Sequence, residues 1–119
     1  MAKILVIDDD ELLLEEMREF LEEDKHLVTL ASKAGEAIKL IQDTKPDLMI
    51  IDIIMPGVDG FELLRQAKEI LPHSKAIVLS GVGDEQFKEK AKQLGADKYL
   101  VKPMHLESFK ELINQLLHS

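Results

Sequence analysis

Between residues 3 and 117 two hydrophobic periods take turns five times, and no other feature of the chain restricts its fold as strongly. KILVID (3–8), HLVTLA (26–31), DLMIID (47–52), KAIVLS (75–80) and KYLVK (98–102) are short apolar runs. Each is followed by a stretch with apolar residues at helical spacing. These are ELLLEEMREFLEED, a segment marked by Ala34, Ala37, Ile38 and Ile41, then FELLRQAKEIL (61–71), EQFKEKAKQLG (85–95) and LESFKELINQLL (106–117). A strand with one wet face alternates apolar and polar residues, whereas a strand covered on both faces is apolar throughout. The pattern predicts an α/β fold, a doubly wound parallel sheet of five strands covered by five helices.

Local chemistry sets the boundaries. Asp10 and Ser32 stand where the first two helices need N-caps, and Pro46 and Pro72 forbid continuation of the second and third. Gly95 suits the C′ position of the fourth helix, and MPGVDG (55–60) reads as a loop by its Pro and Gly content. No linker, low-complexity segment or second repeat interrupts the 119 residues, so one domain over 1–119 is expected.

The strand ends carry the chemistry. In an open parallel sheet all carboxyl ends share one edge, and ligands bind there, where the strand order reverses. The first strand runs into Asp8, Asp9 and Asp10, the third ends at Asp52, the fourth at Ser80 and the fifth at Lys102. Two carboxylates about 5 Å apart repel by roughly 3 kcal/mol at an effective dielectric near 20. A hard divalent cation between Asp8, Asp9 and Asp52 would turn that repulsion into attraction, and magnesium favours such a site of carboxylates, waters and a phosphoryl group. Asp10 needs no metal to account for it, since N-caps favour aspartate.

Composition narrows the ligand further. With 23 acidic against 15 basic residues the net charge is −8, which argues against direct nucleic-acid binding, because duplex affinity comes from phosphate neutralisation. The absence of cysteine excludes disulfides and thiolate zinc sites and fits a reducing cytoplasm. No apolar run approaches the roughly 20 residues of a membrane span, and Met-Ala-Lys before a short strand is not a signal peptide.

ILVIDDD, DLMIIDIIMPGVDGFELL, AIVLSG and GADKYLVKP, in this order and at these spacings, resemble the receiver domain of two-component response regulators over essentially the whole chain. The resemblance implies a flavodoxin-like sheet of order 2-1-3-4-5. It makes Asp52 the phosphoacceptor, taking a phosphoryl group from the phosphohistidine of a sensor histidine kinase. Asp9 would bind magnesium directly, Asp8 mostly through water, and the backbone carbonyl of Ile54 would complete the protein ligands. Lys102 would pair with Asp52 and then with the phosphoryl oxygens, next to a cis bond to Pro103. Ser80 and Tyr99 resemble the switch pair. Helix four has few apolar anchors (Phe87, Ala91 and Leu94), so it should be lightly held, and helix four, strand five and helix five would form the output face toward a downstream protein or phosphotransferase. Ile54 and Val82 hold the positions that flank the path of the hydrolytic water. The resemblance leaves open whether phosphorylation pairs two copies, and it describes a switch that turns over no external product.

Two rivals use related chemistry. Haloacid-dehalogenase-type phosphatases also form an aspartyl phosphate with magnesium, and Asp8-Asp9-Asp10-Glu11-Leu12 nearly fits their DxDx[TV] motif. Leu12 replaces the required Thr or Val, however, and the acidic pair needed beyond Lys102 is missing. A flavin-binding module would need a phosphate-cradling loop where three aspartates stand. The four histidines (His26, His73, His105 and His118) share no ligand spacing and read as surface residues.

Overall fold

The computed structural model describes residues 2–118. Five parallel strands, β1 (Lys3–Ile7), β2 (Leu27–Ala31), β3 (Leu48–Ile51), β4 (Lys75–Ser80) and β5 (Lys98–Val101), form one sheet in the order β2-β1-β3-β4-β5. Helices α1 (Glu11–Glu23), α2 (Ala34–Thr44), α3 (Gly60–Ile70), α4 (Glu85–Gln93) and α5 (Leu106–Leu117) cover it. This is the doubly wound α/β architecture expected from the apolar pattern, with the strand order that the resemblance implies.

The apolar runs are continuous because side chains alternate between two cores. Leu5, Ile7, Met49, Ile51, Ala76 and Val78 point to one side, where α2 contributes Ala37 and Ile41, α3 contributes Leu63, Leu64 and Ala67, and α4 contributes Ala91. Ile4, Val6, Leu48, Ile50, Ile77 and Leu79 point to the other, against Leu14, Met17 and Leu21 of α1 and Phe109 and Ile113 of α5. Burial of each large aliphatic side chain contributes about 1.5–3 kcal/mol before chain entropy is counted, so β1 and β3, buried on both faces, anchor the domain.

Three local expectations need correction. Ser32 does not cap α2. Lys33 holds the N-cap position, its carbonyl accepting from the Ala37 N–H at 3.0 Å, with no side-chain cap bond. The Ser32 N–H instead donates to Glu36 Oε1 at 3.4 Å, so the glutamate reaches back to satisfy the chain ahead of the helix. The 55–60 loop is partly ordered as a ladder, Ile54–Met55 pairing antiparallel with Val58–Asp59 around a turn with Gly57 at φ +72°. α3 also begins earlier than expected, at Gly60, because the Asp59 side chain accepts from the N–H groups of Phe61 and Glu62.

The other boundaries fall within one or two residues of those read from the sequence. Asp10 caps α1 by accepting from Leu12 and Leu13 N–H. α4 closes on Gly95 at φ +105°, buries only Ala91, and leaves Phe87 and Leu94 half-buried. His73, His105 and His118 are exposed, while His26 is half-buried and accepts the Ala2 N–H through Nδ1 at 3.1 Å. His26, His73 and His118 nevertheless line one cavity of about 430 Å³, a convergence that linear spacing does not reveal.

Candidate functional site

The sheet itself sets the height of the site residues. Just beyond the strands, the Asp8 N–H donates to the Ala31 carbonyl (3.1 Å), Asp52 N–H to Ile7 (2.9 Å) and Lys102 N–H to Ser80 (2.8 Å). These rungs continue the parallel ladder one step past its apolar part and bring residues from distant positions to one edge.

Asp8 and Asp52 are buried, at 2% and 5% exposure, and Asp9 is exposed. One carboxylate oxygen from each of the three lies within 4.8 Å of the others, the only such cluster of potential metal ligands among the described residues. Lys102 reaches between them, its Nζ 2.8 Å from Asp8 Oδ2 and 3.2 Å from Asp52 Oδ2. The lysine is thus shared by both aspartates, with the shorter bond to Asp8. The second oxygen of each buried acid is also held: Asp52 Oδ1 accepts from Ile54 N–H at 2.8 Å and Asp8 Oδ1 from Asp10 N–H at 2.9 Å.

The electrostatics remain unbalanced. Burial pushes the Asp52 carboxyl above the ordinary aspartate range. The Ile54 N–H works against that shift, the Asp8 charge adds to it, and Lys102 again opposes it. Burial alone would lower Lys102, but the hydrogen bond and charge of Asp8, together with Asp52, outweigh it and hold the ammonium protonated. One cation faces three carboxylates, so two negative charges stay uncompensated. An all-oxygen donor set with excess negative charge and one exposed side suits a hard divalent cation that keeps part of its water shell.

Ser80 is fully buried at the end of β4, and its Oγ accepts from Val82 N–H at 3.1 Å. That bond leaves the hydroxyl proton free to donate. The Val82 carbonyl accepts from the Tyr99 hydroxyl at 2.5 Å, so the backbone of one loop residue ties the serine of β4 to the tyrosine of β5. No linear pattern encodes this backbone link. Ile54 is 47% exposed beside the acid cluster, and the Lys102–Pro103 bond is cis. Met55 is buried in the core, and Met104 is half-buried against the opposite core.

Comparison with known proteins gives a consistent result. The family model described as "Response regulator receiver domain" matches residues 4–114. The chain is 35% identical over 118 residues to the chemotaxis protein CheY of Halobacterium salinarum, covering 98% of each. It is also 35% identical to a protein-glutamate methylesterase/protein-glutamine glutaminase of Methanospirillum hungatei, but there it spans only 36% of the relative. The crystal structure of a CheY-like response regulator receiver domain protein from Methanospirillum hungatei superimposes with a TM-score of 0.95 at 30% identity, covering 99% of this chain and 94% of that one.

Proposed function

Because the chain belongs to the response regulator receiver family of two-component signalling, we propose that it is a phosphorylation-driven switch with Asp52 as its phosphoacceptor. The observation that carries this reading is the buried Asp52 carboxylate, with Oδ1 fixed by Ile54 N–H and Oδ2 by Lys102, beside two further aspartates. An oxygen of Asp52 attacks the phosphorus of a histidine kinase phosphohistidine, the P–N bond breaks, and the imidazole leaves with the electron pair. Charge on the equatorial phosphoryl oxygens is met by the Lys102 ammonium and by the Ser80 hydroxyl, whose proton is free to donate. Magnesium, held by Asp8, Asp9, Asp52 and the Ile54 carbonyl, would neutralise those oxygens and the acid cluster together.

In this reading Ser80 and Tyr99 report the phosphoryl group to the face built by α4, β5 and α5. Val101 and Leu106 are 38% and 47% exposed there, and they offer apolar contact to a downstream protein or phosphotransferase. Among the described residues no helix is long and apolar enough to cross a membrane. A cytoplasmic location and protein partners, not nucleic acid, fit the acidic surface. The phosphatase alternative gains no support: Leu12 stands in place of its Thr or Val and is 71% exposed.

Incubation with acetyl phosphate and magnesium should yield a +80 Da adduct that persists for minutes or longer. Catalytic release of inorganic phosphate without an adduct would restore the phosphatase reading. Magnesium should also raise the melting temperature beyond an ionic-strength control, because it binds the folded acid cluster and not the unfolded chain. At one hundred times its dissociation constant the gain would be about 2.7 kcal/mol. Asp9→Ala should remove most of it, and an unchanged wild-type melting temperature would exclude the metal site.

Adduct lifetime depends on water access. Ile54 is exposed and Val82 half-buried at the mouth of the site, and neither side chain can orient an attacking water. Self-dephosphorylation should therefore take minutes to hours. Ile54→Asn and Val82→Glu together should speed loss of the +80 Da species by about one order of magnitude, roughly 1.4 kcal/mol of barrier. A double variant no faster than wild type would show that these side chains do not set the lifetime.

A further inference from the structure

We propose that Phe61, Phe87 and Lys90 are positioning residues that couple the phosphoacceptor loop to the switch loop, an inference that rests on the phosphotransfer reading above. Phe61 lies in the first turn of α3, directly after the Ile54–Asp59 ladder whose Ile54 N–H holds Asp52 Oδ1. Phe87 lies in the first turn of α4, five residues beyond Val82. Their rings meet edge to face, with centroids 5.3 Å apart and planes at 74°. Lys90, one turn further along α4, places its ammonium 4.5 Å from the centre of the Phe61 ring. Positive ring edge against negative ring face, and cation above the same ring, are both favourable arrangements.

These contacts matter because α4 is lightly packed. Ala91 is its only fully buried residue, and the side chain of its cap, Asp84, accepts from Gln86 N–H of the same helix. The segment from Ser80 to Asp84 is short, so the start of α4 and the backbone of Val82 move together. Val82 satisfies Ser80 through its N–H and Tyr99 through its carbonyl, and hydrogen bonds weaken steeply with an ångström of displacement. Phe61 and Phe87 thus hold the loop in the geometry that presents the Ser80 hydroxyl and draws in Tyr99. Both rings are half-buried and Lys90 is exposed, so the clasp is adjustable in a way that a core contact is not. Its register depends on the ladder that carries Ile54, which gives events at Asp52 a direct mechanical route to α4.

Tyr99 is the only tyrosine in a chain without tryptophan, so intrinsic fluorescence reports this residue alone. The test uses the full chain with beryllium fluoride and magnesium as the phosphoryl mimic. Phe87→Ala should weaken beryllium fluoride binding about five-fold and make Tyr99 more accessible to iodide in the metal-free protein, while the magnesium-induced rise in melting temperature stays as in wild type. Phe87→Tyr should restore both readouts. Lys90→Gln, at an exposed position that does not endanger folding, should shift both in the same direction by a smaller amount, and its effect should vanish in a Phe61→Leu background. Wild-type quenching and wild-type beryllium fluoride affinity in Phe87→Ala and Lys90→Gln would overturn the coupling. If the wild type itself takes neither acetyl phosphate nor beryllium fluoride, the phosphotransfer reading fails. Iodide quenching of the metal-free variants would still decide whether the clasp positions Tyr99.

Discussion

Asp52→Asn should abolish the acid-stable, hydroxylamine-sensitive adduct formed with acetyl phosphate, lowering its yield by at least about one hundred-fold, roughly 2.7 kcal/mol of barrier. An amide nitrogen or oxygen is a poor nucleophile toward phosphorus, and no other described carboxylate combines burial, an N–H clamp and the Lys102 bond as Asp52 does, apart from Asp8. The same variant should be more stable than wild type when magnesium is absent. Burial raises the folded pKa of Asp52 above its unfolded value, so with rising pH the unfolded chain loses this proton first. Stability therefore falls as pH climbs from the unfolded value near 3.8 through the higher folded one, and the deficit persists at neutral pH. Asparagine cannot ionise, so the variant should melt above wild type at pH 7 and converge with it in acid. A full-yield adduct mapping to Asp8 or Asp9 would overturn the assignment.

Glycine-to-alanine substitutions at two helix starts should have opposite signs. At Gly60 a Cβ would sit 2.1 Å from the Ile53 carbonyl oxygen and 2.3 Å from its Cα, both backbone atoms that cannot swing aside. Gly60→Ala should cost about 2–4 kcal/mol, about 10 °C or more, because the Ile53 segment must shift away from α3. That segment leads into Ile54, whose N–H holds Asp52, so the magnesium-dependent gain in melting temperature should shrink too. At Gly35, in the first turn of α2, an added Cβ meets nothing within 4 Å. Gly35→Ala should stabilise by up to about 1 kcal/mol through helix propensity and reduced freedom of the unfolded chain. Equal effects at the two positions, read by thermal or urea denaturation, would contradict the close packing of the Ile53 segment on α3.

Local signals were most reliable where a single residue decides a conformation. Asp10 caps α1 and Gly95 ends α4 because an aspartate oxygen and a missing Cβ act over a few bonds. Ser32 misled because the helix starts one residue later, with Lys33 at the cap, while Glu36 accepts from the Ser32 N–H ahead of the helix. The MPGVDG loop hid a ladder, since two-residue strands are too short to leave a period in the sequence. The shared bond of Lys102 to Asp8 also lay out of reach: the side chain extends between two strand ends, and only distances choose between them.

By itself the sequence determined that five apolar runs form a parallel sheet covered by helices and that Asp8, Asp9, Asp52, Ser80 and Lys102 must share one edge. Both conclusions rest on the period of side chains along a strand and on the common direction of parallel strands, which are properties of the backbone. The tertiary structure alone decided how those edge residues pair, that Val82's backbone joins Ser80 to Tyr99, and that Phe61 meets Phe87. Such contacts join segments far apart in the chain, and their energies depend on distances of a few ångströms that no linear pattern encodes.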